Sequence, residues 1–283
     1  MKIKALIQRN PTLFYFLIVF SISWGSVFLG MGPAFSQGEE LAPEDFLIWG
    51  LLMVAGPSIA GIFVIYLTEG RKGLQDFYAR LTRWRVGIRW YAPLLIFPLL
   101  ILVTLIPLSH VVSSDLAPTI FPFGLLIGLM AGFLEEIGWT GFAYPTMKKK
   151  YGVLGASIIL GFIHAVWHIP ADFLGNSIAF GDHWLPYMAG FFIFVMALRV
   201  LMGWVYENTK SLFLGQLMHA SSTGFLSVLL PIGIGGLNWT IFYAAYAIIL
   251  WGAVVIVIAR HGEKLLENSQ ANYEEKSRIP EAG

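Results

Sequence analysis

Apolar residues fall in long, nearly unbroken runs along this chain, at about 13–30, 46–67, 91–112, 120–144, 152–170, 185–206, 212–231 and 239–259. Each run is close to the ~20 residues that a helix needs to cross a bilayer core. Backbone polar groups find no water at that depth, so helices are the form such runs take. The pattern predicts an all-α, polytopic membrane helix bundle with about eight transmembrane helices. It reads as one membrane domain over 1–262 with a polar cytoplasmic tail at 263–283, and no internal repeat or long linker divides it. Lys2, Lys4 and Arg9 precede the first run as in a signal peptide. The run is long and no A-x-A site follows it, so it reads as an uncleaved first span.

The charges sort by connection. No Lys or Arg lies between spans one and two, three and four, five and six, or seven and eight; Glu39, Glu40, Glu44, Asp45, Asp172 and Asp182 lie there instead. Arg71, Lys72, Arg80, Arg83, Arg85 and Arg89 follow span two, Lys148, Lys149 and Lys150 follow span four, and Lys210 follows span six. Arg260, Lys264, Lys276 and Arg278 end the chain. Of the 18 Lys and Arg residues, Arg199 alone sits within a span. The positive-inside rule then predicts cytoplasmic N- and C-termini, an even number of spans and a multi-pass protein of the cell membrane. The segment 69–90 mixes its arginines with Leu74, Phe77, Tyr78, Leu81 and Trp84. It reads as an amphipathic helix on the cytoplasmic interface, basic side toward lipid headgroups.

Composition narrows the chemistry. The chain is 57% hydrophobic and 12% charged, with a mean hydropathy of +0.71. Soluble domains carry about 25% charged residues, so the main partner of this surface is membrane lipid. A net charge of +1 gives no argument for nucleic acid. The absence of Cys excludes disulfides, thiolate metal sites and a Cys nucleophile.

Against that background, Leu134–Pro145, LEEIGWTGFAYP, stands out. Glu135 and Glu136 are adjacent carboxylates in an otherwise apolar span, and a charge at bilayer depth costs about 2.5–3.5 kcal/mol on insertion scales. Either they lock helices together as a buried ion pair or they belong to a functional site. Gly124, Gly128 and Gly132 recur at four-residue intervals, which lets a neighbouring backbone approach closely. Span five contains GFIHAVWHIP, with His164 and His168 on one helix face and Pro170 positioned to end or bend the helix. Span seven contains LMHASSTGF, where Thr223 lies one turn beyond His219. Its hydroxyls could bond back to their own helix. Arg199, about two turns from the cytoplasmic end, either snorkels to the interface or pairs inward with a Glu. His110, His183, His261, Asp172 and Asn176 read as surface or loop residues.

The EE pair followed by GWTGF, the WHIP segment and a last His followed by small polar residues resemble the CPBP intramembrane proteases, the family of the type II CAAX prenyl endopeptidases and their bacterial bacteriocin-processing or immunity relatives. The resemblance covers about 120–231, including WVYENTKSLFLGQLMH. The family's first motif carries over to Glu135 and Glu136, but Thr140 stands where the family has Arg. The second carries over to His168, with His164 at the aromatic position, and the third to His219, with Thr223 in place of Asn. Arg199 is the candidate to supply the missing charge.

The resemblance implies hydrolysis of a peptide bond in a membrane-associated protein or peptide. A buried carboxylate suits Glu135 as general base for water. His168 could orient that water or share its proton, and His219 with Thr223 could donate to the oxyanion, a contribution of about 3–4 kcal/mol per donor. Glu136 would hold the neighbouring helix. The same chemistry could run on Zn²⁺ held by Glu135, His168 and His219, or without metal. Two other readings stand: a catalytically inactive immunity factor or scaffold, to which Thr140 points, and a proton- or cation-coupled transporter, against which stands the missing repeat. One geometric demand is sharp. Glu135 lies about 14 Å, and His168 about 25 Å, from the cytoplasmic ends of their runs at 1.5 Å per residue. A shared site therefore needs span five displaced along its axis or begun outside the lipid.

Overall fold

The computed structural model describes residues 2–38 and 43–267. Glu39, Glu40, Lys276 and Arg278, used above for topology, lie outside the described residues. The elements are α1 (Lys2–Arg9), α2 (Pro11–Gly30), α3 (Gly32–Gln37), α4 (Pro43–Leu81), α5 (Ile96–Val111), α6 (Gly124–Gly138), α7 (Tyr144–Phe180), α8 (Trp184–Thr209), α9 (Leu212–Leu229) and α10 (Gly236–His261). Short 3-10 turns join several of them, and no strand occurs among the described residues. The chain is a multi-pass, all-helical membrane protein. Among the described residues, six helical stretches are long and apolar enough to cross a membrane: Pro11–Gln37, Ile48–Leu81, Ile88–Val111, Gly124–Thr209, Leu212–Leu229 and Gly236–His261. The stretch Gly124–Thr209 contains α6, α7 and α8, on which three of the eight expected runs fall.

Two glycines bend helices that would otherwise run on. Gly70 in α4 (φ 65°, ψ −148°) and Gly152 in α7 (φ 70°, ψ 177°) adopt a conformation that residues with a Cβ avoid. Beyond Gly70 the helix lasts only to Leu81, so the amphipathic helix expected over 69–90 is shorter than its pattern suggested. Its Phe77 is buried, and Arg80 turns inward, donating to the Gly141 carbonyl (2.9 Å) and the Tyr206 hydroxyl (2.8 Å). Basic residues of this segment therefore serve the bundle as well as the interface.

Gly152 resolves the geometric demand. Helix continues from Gly124 through α6, a π turn at Trp139–Ala143 and the first turns of α7 before the chain reverses. Lys148, Lys149 and Lys150 are therefore helical rather than a connecting loop. The path from Glu135 to Gly152 is then about as long as the path back from Gly152 to His168, roughly 25 Å each. Nor does Pro170 end the helix: α7 runs to Phe180, and Asp172 and Asn176 belong to it rather than to a loop. A membrane helix tolerates the missing N–H when its neighbours compensate.

The apolar core forms two regions. One gathers α5, α8, α9 and α10 around Phe97, Leu201, Met218 and Tyr246; the other gathers α2, α4 and α7 with the π turn around Tyr15, Val64, Trp139 and Trp167. Helix α6 lies against both sides. A Cβ at Gly124, Gly128 or Gly132 would meet the α9 backbone near Val228, Gly224 and Gln216 respectively. This is the close approach the glycine spacing predicted. We expect Gly128→Leu to force α6 from α9 and lower stability by about 1–3 kcal/mol, the usual range for overpacking. Gly25→Leu, with nothing within 4 Å of its Cβ, should leave the thermal midpoint in detergent unchanged.

Candidate active site

The Glu pair sits on the last turn of α6, immediately before the π turn. Backbone carbonyls beside it are held from two directions: the Ser58 hydroxyl of α4 donates to Leu134, and Gln216 Nε2 of α9 donates to Phe133 (3.2 Å). π turns insert an extra residue into a helix and are frequent at functional sites. Here the turn carries Thr140 and Trp139, both buried.

Glu136 is fully enclosed and heavily bonded. Arg199 of α8 grips it with two parallel bonds, Nη1 to Oε2 (2.7 Å) and Nη2 to Oε1 (2.8 Å). Thr140 Oγ1 donates to Oε2, and His219 Nδ1 of α9 lies 2.6 Å from Oε1. Arg199 is 3% exposed, so it pairs inward and does not snorkel. At the position of the family's Arg, Thr140 keeps a hydrogen bond to Glu136, while the charge arrives from another helix.

Arg199 also reaches His164 of α7, with Nη2 at 2.9 Å and Nε at 3.2 Å from Nδ1. A guanidinium has only N–H groups to offer. Nδ1 of His164 must accept, and the hydrogen-bond pattern therefore assigns the neutral ring's proton to Nε2. That nitrogen lies 2.9 Å from Glu135 Oε2 and donates to it. Donation thus passes in one direction, from Arg199 through His164 to Glu135. The same reasoning puts a proton on Nδ1 of His219, facing Glu136, and leaves its Nε2 uncommitted.

His164 therefore holds a position that the motif match gave to an aromatic residue, and it contacts Glu135 directly. His168 lies one turn further along α7, its ring tilted and its centroid 5.1 Å from that of His164. A ligand atom from each of Glu135, His164 and His168 lies within 4.8 Å of the others. Trp139, which sequence reasoning did not single out, packs its ring 5.2 Å from His164. Glu135, His164, His168, His219 and Thr223 all line one cavity of about 810 Å³. Of the hydroxyls after His219, that of Ser221 donates to the Leu94 carbonyl (2.6 Å); further along α9 the Ser227 hydroxyl donates to the backbone carbonyl of Thr223 (2.9 Å).

Two His and a carboxylate are a common zinc donor set, and each His must offer a lone pair. His164 cannot do so here: Arg199 occupies Nδ1, and Nε2 carries the proton. The set expected from sequence, with His219 in place of His164, escapes that conflict, but His219 is not among the ligand atoms that converge within 4.8 Å. These residues do not fit a resident metal in this arrangement.

Comparison with known proteins adds independent information. Residues 117–225 match the profile of the Rce1-like type II CAAX prenyl endopeptidases, close to the 120–231 read from the motifs. A protein named CAAX prenyl protease 2 from Methanococcus maripaludis is 26% identical over 231 residues, covering 75% of this chain and 82% of the relative.

Arg199→Leu should leave Glu136 charged and buried without its partner, at a cost of about 3–5 kcal/mol. Unfolding measured in detergent should show part of that loss recovered when Glu136→Gln is added. An unchanged stability in the single variant would remove Arg199 from the role assigned to it.

Proposed function

We propose that the chain is a CPBP-family intramembrane endopeptidase that activates water with Glu135 and uses no resident metal. The observation that carries the reading is the hydrogen-bond relay from Arg199 through His164 to Glu135 at the inner end of a cavity. A base needs an orienting partner, and His164 holds one oxygen of Glu135 while the cavity gives water access to the carboxylate.

The reaction then balances simply. Glu135 takes a proton from water as the water oxygen bonds to the scissile carbonyl carbon. His168, beside the base, orients that water. Negative charge develops on the former carbonyl oxygen, where the Thr223 hydroxyl donates; His219 donates from Nε2 when its ring carries both protons. The proton held by Glu135 passes to the leaving nitrogen as the C–N bond breaks, giving a carboxylic acid and an amine. Glu136 touches neither water nor substrate in this scheme. It anchors Arg199, His219 and Thr140 and so positions the groups that do. Supplying the missing charge from Arg199 also speaks for an active member over an inert scaffold. The substrate is a membrane-associated protein or peptide, and the relative's name makes a CAAX-protease-like substrate the first class to try. The proposed topology keeps eight spans with both termini cytoplasmic.

Purified protein in liposomes should cleave members of a membrane-peptide library, and Glu135→Gln should lower kcat/KM by about 10²–10⁴-fold, the usual span for a general base. Chelators should leave the wild-type rate unchanged. Activity lost to a chelator and restored by Zn²⁺ would overturn the metal-free mechanism, and no cleavage by folded wild type across the library would overturn the protease reading.

A further inference from the structure

The cavity connects the site with one end of the bundle, and the basic residues gather at the other. At the basic end, Lys148 of α7 pairs with Glu207 of α8 (2.7 Å), Ser211 bonds the Arg83 carbonyl, and Arg89 pairs with Glu267 (2.5 Å). These contacts bring together the connections that follow α4, α8 and α10 with the Lys-rich turn of α7. The cavity runs the opposite way. Beyond the histidines it is lined by Asp172, Asn176 and Ala179 of α7 and by Ile232–Gly235 ahead of α10. Ala179, Ile232 and Gly233 are exposed, which makes this the mouth, and no Lys or Arg occurs in 90–147, 151–198 or 211–259. By the positive-inside rule the mouth lies on the non-cytoplasmic side.

One cavity side chain stands apart. Asp172 lies four residues after His168, hence on the same helix face and about 6 Å nearer the mouth. Trp184 Nε1 (2.8 Å), Tyr187 Oη (2.7 Å) and Asn176 Nδ2 (3.1 Å) all donate to its carboxylate. All three donors are neutral, and among the described residues no Lys, Arg or His forms an ion pair with it. Apart from Glu135 it is the only carboxylate lining the cavity among the described residues, the walls are otherwise largely apolar, and no described lining residue is Lys or Arg. A carboxylate has about four acceptor sites, so these three bonds fix its position and leave capacity for a cation.

We propose that the site takes its substrate from the non-cytoplasmic side, as an extended, largely apolar peptide whose cationic side chain pairs with Asp172. This rests on the endopeptidase reading. At about 3.3 Å per residue, a 6 Å offset puts that cation about two residues from the scissile bond, toward the mouth.

The chain has no Cys, so single cysteines report cleanly on sidedness. In intact cells, Ala179→Cys should react with a membrane-impermeant maleimide, and Lys149→Cys should react only after permeabilisation. The reverse pattern would overturn the side of access, whether or not the protein cleaves anything. For Asp172, two apolar peptides are compared that differ only in Lys or norleucine two residues from the scissile bond. Wild type should favour the Lys peptide by about ten- to a hundredfold in kcat/KM, as for a hydrogen bond to a charged group. Asp172→Asn should bring the ratio near one. A purely structural clip between α7 and α8 would lower both rates together, and an unchanged ratio overturns the proposal. Should neither peptide be cleaved, their binding to Glu135→Gln by fluorescence anisotropy gives the same ratio, and equal binding overturns the cationic preference independently of catalysis.

Discussion

The bidentate contact between Arg199 and Glu136 governs the arrangement of the site. Either charge buried alone in a low-dielectric interior would carry a penalty of several kcal/mol. Each is tolerable because the other is there, and because Thr140, His164 and His219 take up the remaining hydrogen-bonding capacity. Four helices are thereby tied to one point: α6 through the Glu pair, α7 through His164, α8 through Arg199 and α9 through His219. The glycine row of α6 makes this geometry reachable by letting the α9 backbone come close. Apolar packing alone would let these helices slide or rotate; the charged knot specifies register.

The two glutamates are neighbours in sequence but have different work. Glu136 points into the knot and is saturated with donors. Glu135 accepts from His164 and also borders the cavity. Adjacent residues on a helix project about 100° apart, so one faces the bundle seam and the other the open space. The π turn that follows gives the chain an extra residue with which to bring Trp139 against His164 while keeping Thr140 one turn from Glu136.

Much of this was legible in the amino-acid order because membrane burial leaves few polar residues to explain. The Glu pair, His219 and the glycine spacing could be read directly, and Arg199 stood out as the one basic residue inside a span. What escaped depended on where helices stop. Lys148–Lys150 suggested a loop because three charges seldom lie within lipid, yet the helix continues through them before it turns at Gly152. Pro170 suggested a stop or a bend because it lacks an N–H; α7 runs through it to Phe180, which moved Asp172 from an expected loop into the cavity wall. His168 outranked His164 because Pro170 follows it and because it fits the motif position. The actual contact of His164 with Glu135 spans 29 residues and a chain reversal, and its proton placement depends on a guanidinium from a third helix. No local pattern encodes that. The i, i+4 relation of His168 and Asp172 was the one available clue to the latter.

The reversal at Gly152 has a bearing on the lipid environment. Glu135 on one side, and His164 and His168 on the other, sit on two arms of a single helical hairpin, and the arms are matched in length by residue count. Their relative height is therefore fixed within the protein, without reference to where the headgroups lie. In a thinner or thicker bilayer the hairpin shifts how far its lysine-bearing bend projects, and mismatch is absorbed there and by tilt. Glu135, His164 and His168 stay level with one another, so the relation of base to partner is buffered against changes in lipid composition.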